Sequence, residues 1–152
     1  MSPIIKSPKK IVETETIIYN PMVKISREST LEILAIRHQK DHLIRIDFLY
    51  HASPIYVNGG WVQMSPGCFI RPTNSTVKYH MVKAENIPLA PTKHYFKSSR
   101  DILSYSLYFP AMPENTTSID IIEDEAPGQN WFNFYSVSMQ TVRTRRLKVM
   151  NN

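Results

Sequence analysis

What this chain has little of narrows its nature first. It holds one cysteine, Cys68, so no internal disulfide can form and cysteine usage says nothing of the redox compartment. It holds 4 glycines against 11 prolines, so its turns must lean on Pro, Asn and Ser rather than on glycine. No apolar run approaches the ~18 to 20 residues of a membrane-spanning helix, so no such helix is expected. The start, MSPIIKSPKKIVETET, lacks the apolar core of about 7 to 15 residues that a secretory signal needs. As shown, the chain reads as cytoplasmic; with a signal peptide already removed it would belong to the envelope or the exterior. Also missing are a glycine-rich phosphate loop, a GxSxG elbow and paired carboxylates at a catalytic spacing.

A concentrated charge is missing from the body as well, despite the net +5. Lys6, Lys9 and Lys10 near the start and Arg143, Arg145, Arg146 and Lys148 near the end account for 7 of the 18 basic residues and none of the 13 acidic ones. Residues 11–140 therefore carry 11 bases against 13 acids, a net of −2. A solvated basic end accounts for this distribution, and a phosphate-contacting arm is the alternative. Four charges suffice for weak, salt-sensitive contact with nucleic acid, although no aromatics interleave with them.

What is present is a succession of short alternating segments. The two Ser-Pro steps of residues 1–12 read as a flexible leader, and residues 13–150 as a single domain of ordinary size. In Leu43 to Tyr50, Ile44, Ile46, Phe48 and Tyr50 share one parity while Arg45 and Asp47 take the other, the signature of a strand with one wet face. Thr30 to His38 reads as a strand or as a short helix with Leu31, Leu34, Ala35 and His38 on one side. Asn58-Gly59, between Tyr56-Val57 and Trp61-Val62, predicts a tight hairpin. Val77 to Lys83 alternates as one strand, and the prolines of Asn86 to Lys93 predict an extended crossing between sheets. Three strands follow, in Asp101–Pro110, Ile119–Glu123 and Trp131–Gln140, and Thr141 to Val149 can add a last one. Eight to ten strands without a long amphipathic helix predict an all-β fold of two packed antiparallel sheets or a barrel.

The run of Tyr108-Phe109-Pro110, the Met-Pro and Thr-rich link Met112 to Ser118, the strand Ile119 to Glu123 and the Trp131-Phe132-Asn133-Phe134-Tyr135 string resembles immunoglobulin-like β-sandwich domains of unknown function from Bacteroidetes bacteria. Ile87 to Pro91 and Lys93 to Ser98 are similar to the connection that precedes those strands. The resemblance covers residues 76–139, and the first half agrees only in strand pattern. It implies a two-sheet antiparallel immunoglobulin-like β-sandwich, often secreted or envelope-associated, with no catalytic residues assigned to the class.

Few side chains invite chemistry. His38 and His42 have the i, i+4 spacing of helical zinc sites, but a strand end and turn would not let them converge; His51, His80 and His94 stand apart. Cys68 flanks an apolar segment, where a small core residue is the plain reading and a nucleophile the other. Glu123-Asp124-Glu125 lacks the alternate spacing and glycine of a calcium loop and reads as a solvated turn. No catalytic residue, cofactor or metal is expected. The strongest contact surface is Trp131, Asn133 and Tyr135, which a strand would place opposite Phe132 and Phe134. Such a face suits a protein partner or a glycan, unless the chain's own loops cover it. Trp61, Tyr105 and Tyr108 invite the same reading more weakly. The expected function is non-enzymatic binding or structural support, by an unknown protein or glycan ligand. An unpaired edge strand would also allow a homodimer, which Pro88, Pro91 and Pro110 would partly blunt.

Overall fold

The structure is a computed structural model that describes residues 16–26, 30–39, 41–126 and 131–140. The expected leader, the expected strand of Thr141 to Val149 and the basic residues Arg143, Arg145, Arg146 and Lys148 lie outside them. No helix occurs among the described residues, hence none long and apolar enough to cross a membrane. They form twelve strands: β1 (Thr16–Tyr19), β2 (Val23–Ser26), β3 (Leu31–His38), β4 (Leu43–His51), β5 (Trp61–Val62), β6 (Phe69–Pro72), β7 (Tyr79–His80), β8 (Lys83–Glu85), β9 (His94–Tyr95), β10 (Ile102–Pro110), β11 (Ser118–Ile122) and β12 (Phe134–Ser138).

Two antiparallel five-stranded sheets hold the core, in the orders β1-β3-β4-β10-β8 and β2-β12-β11-β6-β7, and β5 with β9 makes a small third sheet. The parity read from β4 is realised: Ile44, Ile46, Phe48 and Tyr50 point inward and face Phe109, Leu107, Tyr105 and Leu103 across the β4–β10 register. The sheets meet where Phe48 packs on Phe134, with ring centroids 6.2 Å apart, and where Tyr50 packs on Phe132 at 5.5 Å. This is the arrangement of a β-sandwich, with both inner faces sharing one apolar core.

Two irregularities break the alternation along the chain. Of Thr30 to His38, Leu31–His38 is strand, but a bulge between Ile33 and Ala35 shifts its parity, so that Leu31, Ile33 and then Ile36 are buried. The second lies between β11 and β12, where Tyr135 and Ser136 together oppose Asp120. Ser136 takes a positive φ of 55° there, and its N–H donates to Asp120 Oδ1 at 3.0 Å. Arg71 Nε and Thr73 Oγ1 donate to the same carboxylate at 3.0 and 3.2 Å, so the buried Asp120 anchors the bulge to β6.

Three expected connections differ. Val77 to Lys83 is not one strand: Tyr79–His80 pairs with β6 in one sheet and Lys83–Glu85 with β10 in the other, with Met81 and Val82 at the corner. The backbone N–H of Met81 donates to Cys68 O and that of Val82 to Tyr108 O, one bond to each sheet, so this segment is where the chain changes sheets. Asn86 to Lys93 then leads to the small sheet rather than across the sandwich. Met64 N donates to Pro88 O at 3.0 Å and Ala90 N to Met64 O at 2.9 Å, which ties the proline-rich stretch beside β5. Asn58-Gly59 does not close a hairpin between Tyr56-Val57 and Trp61-Val62. Gly59 and Gly60 both take positive φ, at 83° and 77°, and the turn closes through Gly59 N to Tyr56 O and Ser53 N to Gly59 O. Tyr56 and Val57 remain in the turn, and β5 pairs with β9 instead.

Candidate functional site

Trp131, Asn133 and Tyr135 do not share one strand face. Trp131 to Asn133 precede β12, and the polar groups of Trp131 and Asn133 have partners within the adjoining turn. Trp131 Nε1 donates to Ala126 O at 2.8 Å. Asn133 Oδ1 accepts the N–H of Glu123 at 2.8 Å and that of Asp124 at 3.4 Å, while its Nδ2 donates to Asp124 O at 2.9 Å. The amide acts as a clip on the acidic turn and has little capacity left for a ligand. Tyr135 is half-buried on β12.

The acidic run that this amide holds is no solvated turn at its first residue. Glu123 is buried, and its two carboxylate oxygens accept the backbone N–H groups of Phe132 and Ser65 at 2.9 and 3.0 Å. Burial raises its pKa, and those two bonds and the charge of Asp124 only modify that result. Glu125 is exposed and pairs with Lys78 at 2.8 Å and Arg71 at 3.5 Å.

The open aromatic surface lies elsewhere, on two short segments at β5 and β9. Among the described residues eleven large hydrophobic side chains are exposed, and Ile55, Tyr56, Val57, Trp61 and Tyr95 are five of them. Their clustering follows from the local fold. Trp61 and Tyr95 are directly opposite in the β5–β9 pair, so both side chains leave the same face, while their neighbours Val62 and Phe96 are buried. The ring of Tyr56 lies against Gly60, where a Cβ would come within 3.0 Å of it. Gly59 is wedged beside the carbonyl of Ser98, and Phe96 N donates to Gly60 O at 3.0 Å, which joins the 53–60 turn to the 96–101 turn. Ile55 and Val57 are left at the tip, 80% and 94% exposed.

This end of the molecule carries positive charge. Residues 52–66 include no charged side chain, whereas Lys93, Lys97 and Arg100 flank β9. Lys93 Nζ stands 4.5 Å from the centroid of the Trp61 ring, within cation–π reach. Asp101, at the foot of the second turn, is engaged by the N–H groups of Lys97 and Ser98 at 2.9 and 3.2 Å.

The remaining polar side chains form structural networks. On the outer face of the first sheet Asp47 accepts Arg37 Nε and Arg45 Nε at 2.7 Å each and Ser106 Oγ at 2.6 Å. Burial works against the Asp47 charge, but these three bonds hold its pKa below the ordinary value. Tyr108 donates its hydroxyl to Glu85 at 2.7 Å and lies beneath Lys83 and Arg45, so the strand-face position of this tyrosine is covered. Tyr105 is buried and stacks on Phe48.

Cys68 is buried, and burial first and Glu123 second push its thiol well up, away from nucleophile chemistry. His38 and His42 lie at the end of β3 and in the following turn; burial lowers the pKa of His38. His51 Nε2 lies 2.8 Å from Glu32, while His80 and His94 pack on Phe69 and Phe96. Among the described residues no three His, Cys, Asp or Glu side chains converge as a metal set would.

The chain matches no protein-family model, no curated protein and no solved structure.

Proposed function

We propose that the chain is a non-enzymatic binding module on an immunoglobulin-like sandwich, and that it meets its partner through the β5–β9 end rather than through Trp131. The fold reading is supported by the two packed antiparallel sheets together with the resemblance over residues 76–139. The observation that carries the functional reading is the grouping of Ile55, Tyr56, Val57, Trp61 and Tyr95 in solvent on two joined segments. Scattered exposed apolar residues are ordinary, but a contiguous group marks a contact surface. Transferring one aliphatic side chain of this size from water is worth roughly 1.5 to 3 kcal/mol.

The partner presents apolar or anionic surface rather than sugar rings. A glycan needs a bare aromatic face and a ring of hydrogen-bonding groups, whereas Lys93 already stands over Trp61 and the tip consists of Ile55 and Val57. The test is retention of the purified chain on the soluble and membrane fractions of the cells that make it. Wild type should associate with one fraction, and Val57→Asp combined with Trp61→Ala should release it at unchanged thermal stability. Equal retention of the variant would overturn the assignment of this surface.

A further inference from the structure

We infer that the β5–β9 end docks on an anionic lipid surface, resting on the reading of that end as the contact surface. The decisive features are the order of side chains at this end and their charge. Ile55 and Val57 project from a turn, with only Tyr56 between them, so the outermost group is convex, aliphatic and uncharged. Trp61 and Tyr95, paired on the β5–β9 sheet that this turn leads into, are 46% and 66% exposed, with indole and phenol able to sit where hydrocarbon meets headgroups. Lys93, Lys97 and Arg100 flank β9, the first of them directly over the indole.

Apolar tip, amphipathic rings and cations together match the three zones of a bilayer: hydrocarbon, interface and anionic headgroups. A bilayer also deforms around a convex tip, whereas a protein partner would have to supply a pocket for it. The acids near this end do not cancel the attraction. Asp101 and Glu32 are two acids against the three bases Lys93, Lys97 and Arg100, which leaves a net positive charge at this end. A membrane-spanning helix is not involved; the chain would lie against one leaflet, with the tip of the 53–60 turn inserted and the 96–101 turn, which carries Lys97 and Arg100, at headgroup depth.

Sedimentation of the full chain with vesicles tests this at low and at physiological salt. Vesicles of phosphatidylcholine with about one third phosphatidylserine should carry the protein down, and pure phosphatidylcholine should carry far less, since each basic residue near an anionic surface strengthens partitioning by about fivefold. Val57→Asp should weaken binding by about tenfold or more, because a carboxylate replaces buried apolar area and meets like charge. Its position is 94% exposed, so folding is not at stake, and an unchanged melting temperature verifies that. Lys93→Ala should lose about fivefold at low salt and less at physiological salt, where the lost attraction was already screened.

Two results would overturn the inference. Absence of binding to the anionic vesicles is one. Binding that survives Val57→Asp and Trp61→Ala is the other, because it would be charge alone, of the kind the lysines and arginines near the two chain ends can supply. If vesicles fail while a Val57-sensitive association with the soluble cell fraction persists, the partner is a protein, and the contact surface stands without the lipid.

Discussion

Trp61 and Tyr95 face each other across the β5–β9 pair, and both remain in solvent although each is followed along the chain by a buried residue, Val62 and Phe96. The small sheet therefore holds its inner side on the core and leaves its outer side in solvent. Trp131 differs, being half-buried with its indole N–H bonded to Ala126.

The two indoles should report this difference directly. With Trp131→Phe, the remaining Trp61 should emit at longer wavelength and be quenched steeply by acrylamide. With Trp61→Phe, the remaining Trp131 should give the flatter quenching line. Equal slopes would contradict the placement of the two rings.

Much of the sandwich is legible in the sequence because β4 and the inner half of β10 keep their parity, and a period of 2 on a wet-faced segment is a strand's pattern and not a helix's. The bulge at Ile33/Ala35 removes that cue from β3 and leaves a helix in contention. The proposed contact surface is harder to read for a topological reason. Trp61 finds Tyr95 across a long stretch of chain, and no local pattern announces that Tyr56 will fold onto Gly60. Trp131, Asn133 and Tyr135 look like a strand face in sequence, but strand geometry begins only at Phe134, and the Asn133 amide clips the 123–124 backbone. Trp61, already a weaker aromatic candidate in the sequence, and the uncharged run of residues 52–66 followed by Lys93, Lys97 and Arg100 are the signals the sequence offers for this end.

Asp47 should matter for stability. Asp47→Asn removes the charge that separates Arg37 from Arg45, and because both guanidinium groups are partly solvated the cost should be about 1 to 3 kcal/mol. Its folded pKa lies below the ordinary 3.8, so the native state binds fewer protons than the unfolded chain at that pH. The stability it contributes is present above pH 3.8 and lost as pH falls through the folded value. Chemical denaturation across the acid range should show this loss in wild type and its absence in Asp47→Asn.

Glu123 should act in the opposite sense. Its raised folded pKa means that the native state keeps a proton longer than the unfolded chain, so its contribution is full below the ordinary 4.5 and is lost as pH rises through the folded value. Glu123→Gln turns an amide NH2 toward one of the two donors, Phe132 N–H or Ser65 N–H, and should cost about 1 to 3 kcal/mol. The gap between wild type and variant should be widest below pH 4.5 and should narrow above it. A gap that widens with rising pH would contradict the assignment.

Gly59 should resist substitution. A Cβ there would lie 2.6 Å from Ser98 O and 2.7 Å from Ala52 Cβ, at a φ of 83° that L residues rarely adopt. Gly59→Ala should therefore destabilise the domain by about 1 to 3 kcal/mol from backbone strain alone. It should also weaken partner binding, because the turn that presents Ile55 and Val57 is closed at this residue. Urea unfolding and the vesicle assay measure the two effects separately.

Hydroxyl-radical footprinting of the chain free and bound to its native fraction tests the central claim most directly. Protection should fall on Ile55, Tyr56, Val57, Trp61 and Tyr95 and spare four of the six other exposed apolar residues, Tyr19, Met22, Val77 and Val82. Protection concentrated on those four residues, or on Trp131 and Tyr135, with the β5–β9 end unchanged, would contradict the account.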